Sequence, residues 1–155
     1  MTKTEFLQRQ RDAHADWERL LATIPTSRML DVVAGGWTVK DIIAHVTWSE
    51  REMAGVLKQR ALIGSDLWSV SQQERNDAVW EQNRAKSLLD VLSEAGQVYA
   101  ELTEELEKIE DEELNEARYF REMPADWKPW QVIASNTFEH YPEHVAMIRA
   151  WLEKI

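Results

Sequence analysis

The sequence predicts an all-α protein folded as a four-helix bundle. Three observations carry that expectation. Apolar residues recur at helical spacing, and no run alternates apolar with polar residues. Only five glycines and four prolines interrupt the 155 residues. Each long apolar-periodic stretch opens on a helix start signal. A chain of 155 residues suffices for one domain with one core, so residues 1–155 are read as a single unit.

The first helix is expected from about Thr4 to Thr23. Thr2 and Glu5 have the spacing of a capping box, in which each side chain serves the other's backbone N–H. Phe6, Ala13, Trp17, Leu20, Leu21 and Ile24 mark its buried stripe, and Pro25 ends it by excluding residue 24 from the helical region. A connection over residues 25–37 ends in Gly35-Gly36-Trp37. Thr38 then caps a second helix, with Asp41 three residues on and a Trp37–Ile42 staple across the start. That helix should run to about Leu62, with Gly64-Ser65 closing it. Ser71 opens a stretch through about Arg84, and Ser87 with Asp90 opens another to about Ile109; the pattern fits one helix or two joined near residues 85–87. The acidic run Glu110 to Glu116 reads as solvated, and residues 115–128 read as irregular. Pro129 suits the first position of a last helix reaching about Glu153, because its missing N–H has no partner there in any residue type.

Composition narrows the function classes. A 44% hydrophobic and 30% charged chain is globular in character, not disordered. A formal net charge of -10 lacks the basic footprint of a nucleic-acid binder and disfavours an anionic membrane surface. The absence of cysteine removes disulfides, thiolate nucleophiles and cysteine zinc sites, and fits a reducing cytoplasm. The N-terminal residues carry no signal-like apolar run, and no stretch approaches the ~20 apolar residues of a membrane span. A cytoplasmic protein is the expectation.

Chemistry concentrates in Phe138-Glu139-His140-Tyr141-Pro142-Glu143-His144, which holds two of the four histidines four residues apart. On a helix such residues share a face, with Cβ atoms about 5–6 Å apart, so two imidazoles can hold one metal ion. His45, in the second helix, is the candidate third ligand, although a lone histidine on an apolar face is more often a packed core residue. A set of three histidines leaves positions open for water or substrate. Pro142 between the pair is expected to kink the helix, at about 3 kcal/mol for an interior position, facing solvent or aiming the imidazoles. His14, between Asp12 and Asp16, reads as a surface residue, and Glu139 and Glu143 point away from the pair. Asp41 and Glu52 share the face of His45 and are candidates to orient an imidazole or accept a proton. Trp48 and Ser49 lie on that side and can wall a pocket; Trp37, Trp80 and Trp130 complete the candidate lining. No phosphate-binding glycine loop, nucleophile elbow or zinc-protease His-Glu-x-x-His motif is present.

Three stretches together resemble one family. Trp37-Thr38-Val39-Lys40-Asp41-Ile42-Ile43-Ala44-His45 is similar to the second-helix signature of the DinB/YfiT-like superfamily, and Asn136 to His144 resembles its last-helix signature. Asn76-Asp77-Ala78-Val79-Trp80-Glu81-Gln82-Asn83 resembles the ClbS/DfsB-like branch. The resemblance implies an up-down-down-up bundle with long crossovers and one divalent ion, nickel or zinc, on His45, His140 and His144. It further implies thiol-dependent transferases or isomerases among the relatives, enzymes that inactivate reactive small molecules, and homodimers.

The leading expectation is thus a metal-dependent enzyme acting on a small electrophile by hydrolysis or by transfer of a low-molecular-weight thiol. The alternatives are a metal-free protein that binds or sequesters a small molecule in a tryptophan-lined pocket, and a structural bundle whose histidines are simply buried.

Overall fold

The computed structural model describes residues 1–154. Helix α1 spans Lys3–Ala22, and its start is the expected capping box: Thr2 accepts from the Glu5 N–H, and Glu5 accepts from the Thr2 N–H. The connection after it is more ordered than its sequence suggests. A 3-10 turn at Thr26–Arg28 leads into a small antiparallel hairpin, β1 (Val32–Ala34) with β2 (Trp37–Thr38). Gly35 and Gly36 make the turn with φ of 58° and 84°, a left-handed conformation in which glycine has no Cβ to clash. Strands of three and two residues are too short to show an alternating pattern.

Helix α2 spans Val39–Gln59, and the Thr38–Asp41 capping box is present in both directions. Gly64-Ser65 does not close it, contrary to expectation. It stops at Arg60, which takes a left-handed φ of 48°. Arg60 can occupy that position because its guanidinium donates to the Leu57 carbonyl and to Glu113 at 2.8 Å. The side chain therefore satisfies a helix-end carbonyl and anchors a distant segment at once. Residues 61 and 62 then pair with Arg121, the Leu62 N–H donating to its carbonyl at 2.8 Å.

The stretch from 71 to 109 is two helices. Helix α3 (Gln72–Asn83) is capped by Ser71, and α4 (Leu88–Lys108) by Ser87. The break between them is held from outside. Lys40 is only 9% exposed, and its ammonium donates to the Arg84 carbonyl at 2.9 Å and the Lys86 carbonyl at 2.7 Å. The acidic run is not simply solvated: it contains the short α5 (Asp111–Asn115), with Leu114 fully buried and Glu113 paired to Arg60.

The last helical region also divides, into α6 (Pro129–Ser135) and α7 (Tyr141–Leu152), with turns over residues 136–140. Pro129 opens α6 as expected. Pro142 is not a kink inside a helix. It is the second residue of α7, where the missing N–H is one the helix leaves unpaired anyway, so the interior penalty does not apply.

The four principal helices α1, α2, α4 and α7 form an all-α bundle, with α2 packed against α3, α4 and α7. One core cluster centres on Trp17, Ile42, Ile43, Tyr141 and Ile148, the other on Phe6, Leu57, Leu102, Leu106 and Ile133. None of the described helices is long and apolar enough to cross a membrane.

Lys40→Met keeps the length of the stem but leaves two loop carbonyls without their donor. Urea unfolding should show a loss of about 1–3 kcal/mol, with faster hydrogen exchange confined first to residues 84–88.

Candidate metal centre

His45 stands in the second turn of α2, His140 immediately before α7, and His144 in its first turn. Their imidazoles converge. Nε2 of His140 lies 3.1 Å from Nε2 of His45 and 2.9 Å from Nε2 of His144. One ligand atom from each residue falls within 4.8 Å of the others. His140 precedes the helix yet keeps helical dihedrals (φ -86°, ψ -41°), so the i, i+4 relation to His144 survives the break.

Burial keeps the three rings neutral. It lowers His45 to about 4, with further contributions from His140 and the Arg75 charge. It lowers His144 to about 3, aided by His140 and His45. His140 is lowered by burial as well, against an opposing pull from Glu143. A neutral imidazole has one N–H and one lone pair. His140 Nε2 faces two nitrogens and can serve only one of them as a hydrogen bond. All three Nδ1 atoms are buried and unpartnered. A shared cation suits this arrangement better than any set of tautomers, because it accepts all three lone pairs together. His140 Nε2 stands about 3 Å from the Nε2 of each partner, and one ligand atom of every histidine lies within 4.8 Å of the others, a spacing at which one ion could be shared. The residues fit a divalent ion.

A cavity of about 280 Å³ opens on the cluster, lined by Trp37, His45, Gln73, Asn76, His144 and Met147 and by the hairpin at Ala34 and Gly35. The Trp37 ring stands 5.2 Å from that of His45. Of the other candidate lining residues, Trp48 is buried with its ring 5.1 Å from Trp68, and Ser49 is buried on α2. Trp80 has Arg84 over its face, and Trp130 packs against the second core cluster. None of these four lines the histidine cavity. Gln73 and Met147 carry no sequence signal, and the Gly35-Gly36 pair reads in the sequence only as the end of a connection.

The two candidate carboxylates are engaged elsewhere. Asp41 accepts from the Thr38 N–H at 2.9 Å. Glu52 accepts from the Ser65 N–H at 2.7 Å and the Trp68 indole at 2.8 Å.

The polar network that does touch the histidine segment is one the sequence concealed. Tyr141, fully buried, donates to Glu50 at 2.7 Å and accepts from Gln10 at 2.8 Å. Glu50 is 3% exposed, and burial raises its carboxyl to about 7 despite the stabilising Tyr141 bond. His14 belongs to the same region and is not a surface residue. It shares a face of α1 with buried Gln10 and Trp17, stacks on Tyr99 with centroids 3.3 Å apart, and is lowered by burial to about 4.

Residues 10–141 match the family described as the mycothiol maleylpyruvate isomerase N-terminal domain. The chain belongs to that family. The family lies within the DinB/YfiT-like superfamily. A crystal structure of an uncharacterised protein from Escherichia coli UTI89 is similar over 99% of this chain and 94% of its own, with a TM-score of 0.76. At 17% identity that likeness shows the DinB-like fold alone. No curated protein matches the sequence.

The raised Glu50 carboxyl sets a pH dependence. A group that binds its proton more tightly when folded adds stability below its unfolded value of 4.5, and that stability is lost as pH rises to about 7. Glu50→Gln keeps an acceptor for Tyr141 without the charge. Denaturation at pH 5 and pH 8 should show the variant gaining roughly 2–3 kcal/mol on the parent between the two. An equal difference at both pH values would refute the assignment.

Proposed function

We propose that the protein is a divalent-metal-dependent enzyme acting on a small electrophilic molecule, by hydrolysis or by transfer of a low-molecular-weight thiol. The observation that carries this reading is the convergence of three partly or fully buried, neutral imidazoles from segments 95 residues apart. Membership of a family named for a mycothiol-dependent isomerase supports the thiol route. The ligands are His45, His140 and His144, and an all-imidazole set favours nickel or zinc over magnesium or calcium.

When bound, the ion supplies Lewis acidity and an activated nucleophile at neutral pH, a service that a chain without cysteine cannot provide from its own thiols. The residues do the rest. Because burial holds the imidazoles unprotonated near pH 7, their lone pairs are available without first releasing a proton. Trp37 closes one side of the cavity and limits the water around the reacting atoms. The Gln73 and Asn76 amides stand at the same cavity and can each donate to or accept from a polar group of the substrate. The formal charge of -10 agrees with a small-molecule partner better than with nucleic acid.

Metal analysis of protein purified without a histidine tag tests this directly. About one equivalent per chain is expected, falling several-fold in His45→Ala and in His144→Ala. A content below a few tenths of an equivalent that does not respond to either substitution defeats the proposal.

A further inference from the structure

A second and larger cavity, about 560 Å³, lies between residues 62–69 and α6. Its walls include Met53, Ile63, Trp68, Trp127, Val132 and Asn136. The size is that of a small-molecule pocket, commonly ~300–1,000 Å³. Three large apolar side chains left exposed in the structure face it: Ile63 at 44%, Trp68 at 38% and Trp127 at 46%. Apolar surface gathered in one place, not scattered singly, marks an interaction site, and a concave one of this volume fits a small molecule.

The wall is built in advance. The Trp68 indole donates to Glu52 at 2.8 Å, Trp48 stands behind it at 5.1 Å, and the Arg75 guanidinium covers the ring at 4.8 Å. Glu52 also fixes the backbone at Ser65. The chain passes so close there that a Cβ at position 64 would lie 2.8 Å from the Glu52 carboxylate and 3.0 Å from the Trp68 indole nitrogen, which explains the glycine. A ring held on several sides loses little entropy when a ligand stacks on it.

The lining also states what the ligand is. Two indoles suit a planar ring. Asp66 is the one charged residue lining the cavity, and no cation lines it, so an anion is disfavoured. Ser65, Ser69 and Asn136 offer a few polar contacts. We infer that this cavity is a binding site for a planar aromatic group, carrying no negative charge, of a small molecule. Glu52 lies seven residues after His45 on the same face of α2, about 10 Å along the axis, and Asn136 lies four before His140. The two cavities share no lining residue, so binding in this one does not rest on the metal-enzyme reading.

N-phenyl-1-naphthylamine, an uncharged aromatic fluorophore, is the probe. Titration into the full chain should give saturable enhancement of its fluorescence with quenching of tryptophan emission. Ser135→Trp, which fills the cavity from an exposed helix position, and Ile63→Asp, which charges an exposed wall, should each weaken binding at least tenfold. Binding should persist with EDTA present and in His144→Ala, so a failed metal site and a failed cavity give different results. Absence of saturable binding, or binding unchanged in both cavity variants, overturns the inference.

Discussion

Everything in this protein depends on how thoroughly α2 is buried. Fifteen of its 21 residues are buried, so the polar side chains it carries cannot turn to water. An unpaired buried polar group costs about 1–3 kcal/mol, and Lys40, Asp41, Glu50 and Glu52 of this helix are each held by a partner, most of them from a distant part of the chain. Lys40 holds the α3–α4 break. Asp41 closes the end of the hairpin onto the helix. Glu50 takes the hydroxyl of Tyr141 on α7, and Glu52, half-buried, takes the 64–68 segment. The pieces around the histidine cluster are thus positioned by one helix's need to satisfy its polar groups. His45 is the exception, since its ring faces other imidazoles and its Nδ1 finds no partner.

Local desolvation overrides global charge in setting the protonation of this centre. A chain with a formal charge of -10 should hold protons on its histidines more firmly than an uncharged one. The three cluster histidines are lowered all the same, because an imidazolium pays for burial at close range while the acidic residues are mostly exposed and screened. The same burial acts in the opposite direction on Glu50, about 140° round α2 from His45, and pushes that carboxyl toward its neutral form. Burial therefore disfavours charge both at the histidine cluster and at Glu50. A divalent ion held by neutral imidazoles would keep its full charge and remain electrophilic.

The features legible in the sequence were those written locally. The Thr2–Glu5 and Thr38–Asp41 capping boxes, the Ser71 and Ser87 starts and Pro129 at a helix entrance all lie within four residues of the contact they make. The meeting of His45, His140 and His144 was legible for a different reason: two share a helical spacing and the third sits on another amphipathic face. What was not legible needed a partner far along the chain. Arg60 ends α2 through Glu113, 53 residues away, whereas the sequence pointed to the nearby glycine. Gln10, Glu50 and Tyr141 are separated by up to 131 residues and have no spacing in common. His14 was misread from its immediate neighbours, although on a helix the residues that share its environment are three and four positions away.

Pro142 shows how one such misreading changes the account of the site. As a kink it would have been a cost borne to aim two imidazoles. As the second residue of α7 it fixes where the helix begins, and that beginning falls between the two ligands. His140 therefore sits at the positive end of the helix, where a protonated ring is disfavoured and the neutral form that binds metal is favoured. A cation at the same place meets the same unfavourable field. Glu143, in the first turn, opposes it, and its influence is already visible in the pull it exerts on His140. The turn that opens α7 thus combines a proline that sets the start, a partly buried ring whose neutral form the helix end also favours, and a carboxylate that pulls the other way. Glu143 has no contact with an imidazole in the structure, yet it acts on the centre through the field it shares with the helix end.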